Sequence, residues 1–356
     1  FGLLLAFRNP PTWRRPWDEI YEEHINQAKV AEELGYDTVW LTEHHFWEDG
    51  WCPALLPTAA AIAAKTTTIR IGTFVILLPL GKHPINVVEE ATVVDIISKG
   101  RLDLGLGLGY RVQEFEGYGI PRSDRPALMD EGLEIIRKAW TEDMFSFQGK
   151  HFNLKNVHLE PQPIQQPHPP IWTAVMGRKS AKRAAKFGFH VAGTGGENLQ
   201  QMYDEELIKN NRNPSEHKVS QLRLVSVAPT RDEAWANCQE HAHYMMDTYD
   251  KWLKEAADVK WFQDTMSVSK MPPPEKLRED PNLTFFEAPL MVGTPDDIIE
   301  EIERYQKSSR VTHLVMWMQL AGMPPKIAEK SMKLFAEEVM PHFSDNNDGN
   351  TRRIVA

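Results

Sequence analysis

Residues 69–109 read IRIGTFVILLPLGKHPINVVEEATVVDIISKGRLDLGLGLG. A β-type apolar run that reaches Pro79 is followed by a helical segment, PINVVEEATVVDIISKG, and then by a second β-type run, RLDLGLGLG. Strand, helix and strand in that order make the unit of a parallel sheet, because parallel neighbours have to be joined by a crossover. The same alternation extends both ways. Upstream, 2–7 and YDTVWL at 36–41 read as strands. Between them DEIYEEHINQAKVAEELG sets Ile20, His24, Ala28, Val30, Ala31 and Leu34 on one helical face, and Gly35 stops the helix. PALLPTAAAIAAKT, 53–66, is a helix of small residues suited to close packing on a neighbouring helix or another subunit. Downstream, strands are expected at 171–176, 189–193, 222–229 and 312–318, separated by helical segments. Thr294 is placed as an N-cap with Pro295 at the first helical position and acidic residues in the first turn.

Eight strands and at least eight helices in this order predict an α/β protein, a (β/α)8 TIM barrel with insertions. Residues 1–345 are read as one barrel domain and 346–356 as a C-terminal tail. Two segments break the pattern. The Pro- and aromatic-rich stretch 145–170 reads as a hairpin-like excursion. The stretch 250–286, with three successive prolines, reads as a lid-like insertion.

The composition suits an enzyme rather than a scaffold: of 356 residues, 42% are hydrophobic and 25% charged, which is a soluble globular balance. A net charge of −10 argues against a general nucleic-acid or acidic-membrane surface, so the cations that matter are local. Cys52 and Cys238 are too few and too far apart for a disulfide framework or a zinc site, and a reducing cytosol is the expected compartment. The longest apolar run, 74–80, is far short of the roughly 20 residues needed to cross a bilayer. FGLLLAFRNP lacks a basic leader and is read as a first barrel strand, with a trimmed terminus implied by the missing Met.

Barrel active sites lie at the C-terminal ends of the strands. VWLTEHHFWEDGW, 39–51, puts Glu43, His44 and His45 at such an end. Imidazole exchanges a proton near neutral pH, and a neighbouring carboxylate can orient it. Side chains alternate along an extended segment, so one histidine is expected to face the cavity. Both histidines could equally be structural groups at a loop start. A second constellation, AVMGRKSAKRAAKFG at 174–188, ends a strand in Met176 and Gly177 as a helix begins at Arg178, Lys179 and Ser180. Helix-start amides, a hydroxyl and a local cation suit a phosphate, although an ordinary capped helix with solvated lysines has the same letters. GLGLGYR, from Gly105 through Gly107 to Arg111, lacks the spacing of a dinucleotide loop but leaves room for a flat ring or a phosphate tail. Arg111, Arg122 and Arg125 follow it, where surface pairing is the commoner fate of an arginine. Trp47, Trp51, Trp252, Trp261 and Trp317 could wall an apolar pocket or simply pack their loops.

Taken together, AEELGYDTVWLTEHHF (31–46), the 69–109 stretch, VGTPDDIIEEI and SMKLFAEEVMPHF resemble the bacterial luciferase-like flavin monooxygenases over nearly the whole chain. The resemblance implies an enzyme that takes reduced FMN from a separate flavin reductase. It activates O2 as a flavin C4a-hydroperoxide and oxygenates a small, apolar organic substrate. Apart from the resemblance, a cytoplasmic protein without metal is expected from the cysteines, and a homodimer from a subunit interface around helices two and three. His44 matches the catalytic histidine, with Glu43 and His45 as its setting. Phe74 and Val75 match a pair joined by a cis peptide beneath the flavin. Arg125 matches a phosphate-binding arginine, and Gly177 and Ser180 match the helix-start cradle. The family's arginine at the end of strand four is Leu108 here and the adjacent cysteine Gly107, while acidic and seryl positions after strand five are Met176 and Gly177. Arg111 or Arg178 are the substitutes for the missing cation. Deazaflavin (F420)-dependent hydride transfer and a non-catalytic flavin-binding role are the alternatives in the same superfamily.

Overall fold

The computed structural model describes residues 1–193, 197–256, 272–279, 283–285 and 288–344. Its centre is a closed ring of eight parallel strands: β1 Gly2–Leu5, β2 Thr38–Leu41, β3 Arg70–Thr73, β4 Leu102–Gly107, β5 Ile171–Val175, β6 His190–Gly193, β7 Val219–Val227 and β8 His313–Trp317. They follow one another around the ring in chain order. β8 lies beside β1, and β6 closes onto β7 with Val191 opposite Val219. The (β/α)8 barrel expected from the alternation is therefore present.

Why these residues make a barrel is visible in the side-chain alternation. Leu3 and Leu5 of β1 pack outward against the helical layer, while Leu4 points inward with Trp40, Trp172, Leu222, Val315 and Trp317. Trp40 and Trp172 meet edge to face at 5.3 Å and fill the lower interior. Trp172 Nε1 donates to Asp103 Oδ1 at 3.0 Å, and Arg70 Nε donates to the other oxygen at 2.5 Å, so this buried carboxylate is satisfied.

The outer layer consists of α1 Trp17–Glu33, α2 Leu55–Lys65, α3 Pro84–Ser98, α4 Arg125–Thr141, α5 Arg178–Phe187, α6 Glu197–Lys209, α7 Arg231–Glu255, α8 Pro295–Ser308 and α9 Pro325–Leu334. Thr294 caps α8 in a reciprocal box with Asp297. Within the 145–170 stretch, Phe145–Gln148 and Asn153–Val157 pair antiparallel outside the barrel sheet. Of the expected lid at 250–286, residues 250–255 continue α7, and Pro274–Glu279 forms one 3₁₀ segment. The remainder of that stretch lies in part outside the described residues, as does the 346–356 tail. A short strand that the sequence reading lacks, Met291–Gly293, adds to β7 outside the ring. Among the described residues no helix is long and apolar enough to cross a membrane.

One expected strand is two. The 69–79 run breaks after Thr73 and resumes at Ile76–Leu77, with a cis peptide between Phe74 and Val75. β4 accommodates this departure through its glycines: a Cβ at Gly105 would fall on the Thr73 carbonyl oxygen, and one at Gly107 on Val75. The room beside Gly105 and Gly107 is thus taken up by Thr73 of β3 and by Val75 just beyond it.

Candidate active site

Beyond β2 the chain runs through Thr42, Glu43, His44 and His45, all less than a tenth exposed. Successive side chains diverge: His44 borders the central cavity and His45 does not. His44 Nδ1 lies 2.9 Å from Glu114 Oε1, which also accepts the His45 backbone N–H at 2.9 Å. Glu114 belongs to a short helix, Val112–Gly117, in the connection between β4 and α4. Arg111, fully buried at the start of that helix, donates from Nη1 to the His45 carbonyl at 2.6 Å and to Glu114 at 3.4 Å. Its guanidinium lies over the Trp252 ring at 4.2 Å. Trp51 and Trp252 each approach the His44 ring at 4.6 Å, so the imidazole is held by aromatic faces as well as by a carboxylate.

The charge state follows from these contacts. Burial lowers the His44 pKa, and Glu114 opposes the shift without cancelling it. Burial pushes Glu114 upward, but His44, Arg111 and the His45 amide outweigh it and hold the carboxyl below its ordinary range. The pair is a carboxylate beside a neutral imidazole. A carboxylate can only accept, so His44 Nδ1 carries the hydrogen and Nε2 keeps its lone pair. That is the arrangement of an oriented general base, which becomes an acid once protonated.

The cavity is about 580 Å³ and opens at the C-terminal end of the barrel. Leu4, Phe74, Leu222 and Trp317 make an apolar floor, and Tyr249 of α7 closes one side. At the other side, Gly177 precedes α5. A Cβ there would project into open space, and Ser180 Oγ ties the turn by accepting from the Met176 amide at 3.0 Å and donating to the Gly177 carbonyl at 2.9 Å. Arg125, at the start of α4, borders the same space. Its Nη1 is buried without a hydrogen-bond partner. A buried donor of this kind is costly to leave unpaired, and a helix start beside it presents further free amides. Together they form the donor set that an oxyanion requires.

The cavity therefore brings together Glu43, His44, Phe74, Val75, Gly107, Arg125, Met176, Gly177, Arg178 and Ser180. It does not bring His45 or Arg111 to its wall: His45 turns towards Glu43 and Tyr118, and Arg111 supports the histidine loop from behind. Arg178 borders the space, but its guanidinium pairs with Glu205 at 3.0 Å and Glu206 at 3.5 Å on α6. Of the tryptophans, Trp317 lines the cavity, Trp47, Trp51 and Trp252 form the aromatic setting of His44 and Arg111, and Trp261 lies outside the described residues. Glu114, Tyr249 and Trp252 complete the site without having been singled out together. The Arg111–x–x–Glu114 spacing on a helical turn is the signal that could have found the first.

Comparison with known proteins gives this geometry a family. A luciferase-like monooxygenase family model matches residues 1–312, and the chain belongs to that family. Two uncharacterized proteins of Sinorhizobium fredii match over part of their length: y4vJ at 34% identity (48% of this chain, 49% of that one) and y4wF at 32% (61% and 64%). The matched region is thus under two-thirds of either protein. The oxygenase component of flavin-dependent trigonelline monooxygenase from Acinetobacter baylyi is 24% identical over 92% of this chain and 91% of its own. The F420-dependent glucose-6-phosphate dehydrogenase of Amycolatopsis mediterranei is 26% identical over 89% and 93%. Among solved structures, monooxygenase RslO1 from Streptomyces bottropensis superposes with a TM-score of 0.79 at 25% identity, covering 97% and 99% of the two chains. The FMN complex of the oxygenating constituent of 3,6-diketocamphane monooxygenase from Pseudomonas putida has the same fold, with a TM-score of 0.78 at 20% identity over 96% and 97%.

Proposed function

We propose that this protein is the oxygenating component of a two-component monooxygenase: it takes reduced FMN from a separate reductase and uses O2 to oxygenate a small apolar substrate. One observation carries the reading. A single apolar cavity is bordered by a neutral histidine held through its Nδ1 and, on the helix-start wall, by a buried guanidinium nitrogen with no partner. The residues fit a phosphorylated flavin: Arg125 and the first amides of α5 would hold the phosphate, and Phe74 and Val75 would lie under the ring. Bound reduced FMN supplies the electrons for oxygen activation. His44 Nε2 holds or returns the proton that this chemistry moves, and Glu114 keeps the imidazole in the tautomer that can do so. The aromatic wall of Trp51, Trp252 and Tyr249 excludes water from that proton.

His44→Ala is expected to lower turnover with reduced FMN and O2 by roughly 10²- to 10⁴-fold while leaving FMN affinity unchanged. Unchanged turnover would remove His44 from the chemistry. Arg125→Ala is expected to weaken FMN by about 1.5–3 kcal/mol and leave riboflavin unaffected, the signature of a lost charge-assisted contact to phosphate. A second reading, hydride transfer with F420, is favoured by the F420-dependent relative. Oxygen uptake with reduced FMN, set against hydride transfer from reduced F420 under nitrogen, separates the two. A homodimer completes the proposal. Val93, Ile96 and Ile97 of α3 are 46%, 36% and 42% exposed, a cluster of apolar side chains beside the small-residue helix α2.

A further inference from the structure

His45 stands back to back with His44 and makes a different pair of contacts. Its Nε2 lies 3.0 Å from Glu43 Oε1, and its Nδ1 lies 3.3 Å from the Tyr118 hydroxyl. Glu43 Oε1 also accepts the Leu77 amide at 3.3 Å, and since a carboxylate only accepts, His45 Nε2 is the donor in their contact. Nδ1 is then the acceptor, and the Tyr118 O–H donates to it. The three groups form one chain of donors pointing the same way. Its outer end is accessible, since Tyr118 is 39% exposed; its inner end is Glu43, 2% exposed, which borders the cavity and has a second oxygen, Oε2, buried without a partner.

We propose that Tyr118, His45 and Glu43 are a proton relay from solvent to the cavity, separate from the His44–Glu114 pair. The inference rests on the oxygenase reading. When reduced FMN enters as its monoanion, placing one oxygen atom in the substrate and releasing the other as water consumes one proton. The apolar wall made by Trp317, Phe74 and Tyr249 does not supply it. In the relay the Tyr118 O–H bond breaks as Nδ1–H forms, and Nε2–H breaks as a bond to Glu43 forms. The Glu43 carboxyl then turns so that its new O–H faces the cavity, and that bond breaks as an acceptor there takes the proton; water reprotonates Tyr118, and proton exchange with water returns His45 to its Nε2–H tautomer. No electron changes place. His44, whose Nδ1 already donates to Glu114, then handles a proton inside the cavity without having to fetch it.

The two adjacent histidines are therefore opposite tautomers, Nδ1–H at His44 and Nε2–H at His45. Nitrogen-15 NMR of the flavin-free protein reads both directly, and Tyr118→Phe is expected to move His45 Nδ1 towards an unbonded acceptor. In turnover with reduced FMN and O2, Tyr118→Phe and His45→Ala are expected to slow the reaction by at least about tenfold at unchanged FMN affinity, with added imidazole restoring the His45→Ala rate. A chain that oxygenates but shows Nδ1–H at His45 overturns the relay alone. So does a Tyr118→Phe variant at the parental rate, or a His45→Ala rate that imidazole leaves unchanged. A chain with these tautomers that takes up no oxygen with reduced FMN overturns the oxygenase reading instead.

Discussion

At the scale of single residues, the site turns on Glu114. Its carboxylate holds His44 Nδ1 and the His45 amide from a position 70 residues further along the chain. Removing it leaves Arg111 buried beside an unfilled space, and truncating one partner of a buried ion pair costs about 3–5 kcal/mol. Glu114→Ala is accordingly expected to lose stability on that scale in a denaturant titration. Its effect on the pH profile has a definite sign. Glu114 raises the His44 pKa against the lowering by burial, so without it the imidazole protonates less readily and the acidic limb of turnover moves to lower pH. A limb that moved upward would mean that His44 is not the titrating group. That one histidine of TEHHF faces the cavity was legible in the sequence, because the motif falls where a strand ends and side chains alternate; the choice of His44 rests on the family resemblance. Glu114 was not, because only the helical turn over Val112–Gly117, which buries it within reach of Arg111, separates it from Glu116.

Among the elements, the informative comparison is between two glycines, one within the barrel wall and one beside the cavity. Gly105 of β4 faces the Thr73 carbonyl, which belongs to rigid backbone and cannot yield. Gly177 before α5 has extended backbone and open space around its missing Cβ. Gly105→Ala is expected to cost about 1–3 kcal/mol as overpacking, read as a lowered thermal midpoint. Gly177→Ala is expected to leave the midpoint unchanged and weaken FMN, because its methyl group enters the space assigned to the phosphate. The reverse pattern would misplace the cofactor wall. Strand and helix order was readable because apolar period and glycine stops are local properties, as 69–109 shows. The break of β3 after Thr73 was not, since GTFVILLP is uniformly apolar and the interruption is set by the facing glycines of β4. Met291–Gly293 escaped for a related reason: three residues before a helix cap carry no period.

For the whole molecule, the histidines set the response to acid. Burial lowers the pKa of His190 and His313 to about 4, and lowers His24, His44 and His241 as well. In the unfolded chain these rings take up protons near 6.5, so between about pH 6.5 and 4 the unfolded state binds more protons than the folded one. Stability is expected to be fully present above that window and to fall as pH drops through it, measurable as a declining urea midpoint. A midpoint that rose on acidification would contradict the buried, neutral state assigned to these rings. A homodimer is expected by solution mass, with Ile96→Lys on α3 shifting it to monomer; a parent chain of monomeric mass would remove the proposed interface.

The central claim, that His44 manages the proton of an FMN-dependent oxygenation, is tested most directly by one single-turnover measurement. Protein titrated anaerobically with reduced FMN is mixed with oxygen-18 gas and a panel of small apolar aldehydes and ketones, in parallel with His44→Ala. The expected result is superimposable FMN titrations, with oxygen-18 entering an organic product in the parent and at least about a hundredfold more slowly in the variant. Incorporation at the same rate in both, or no incorporation while reduced F420 passes hydride to a substrate, would contradict it.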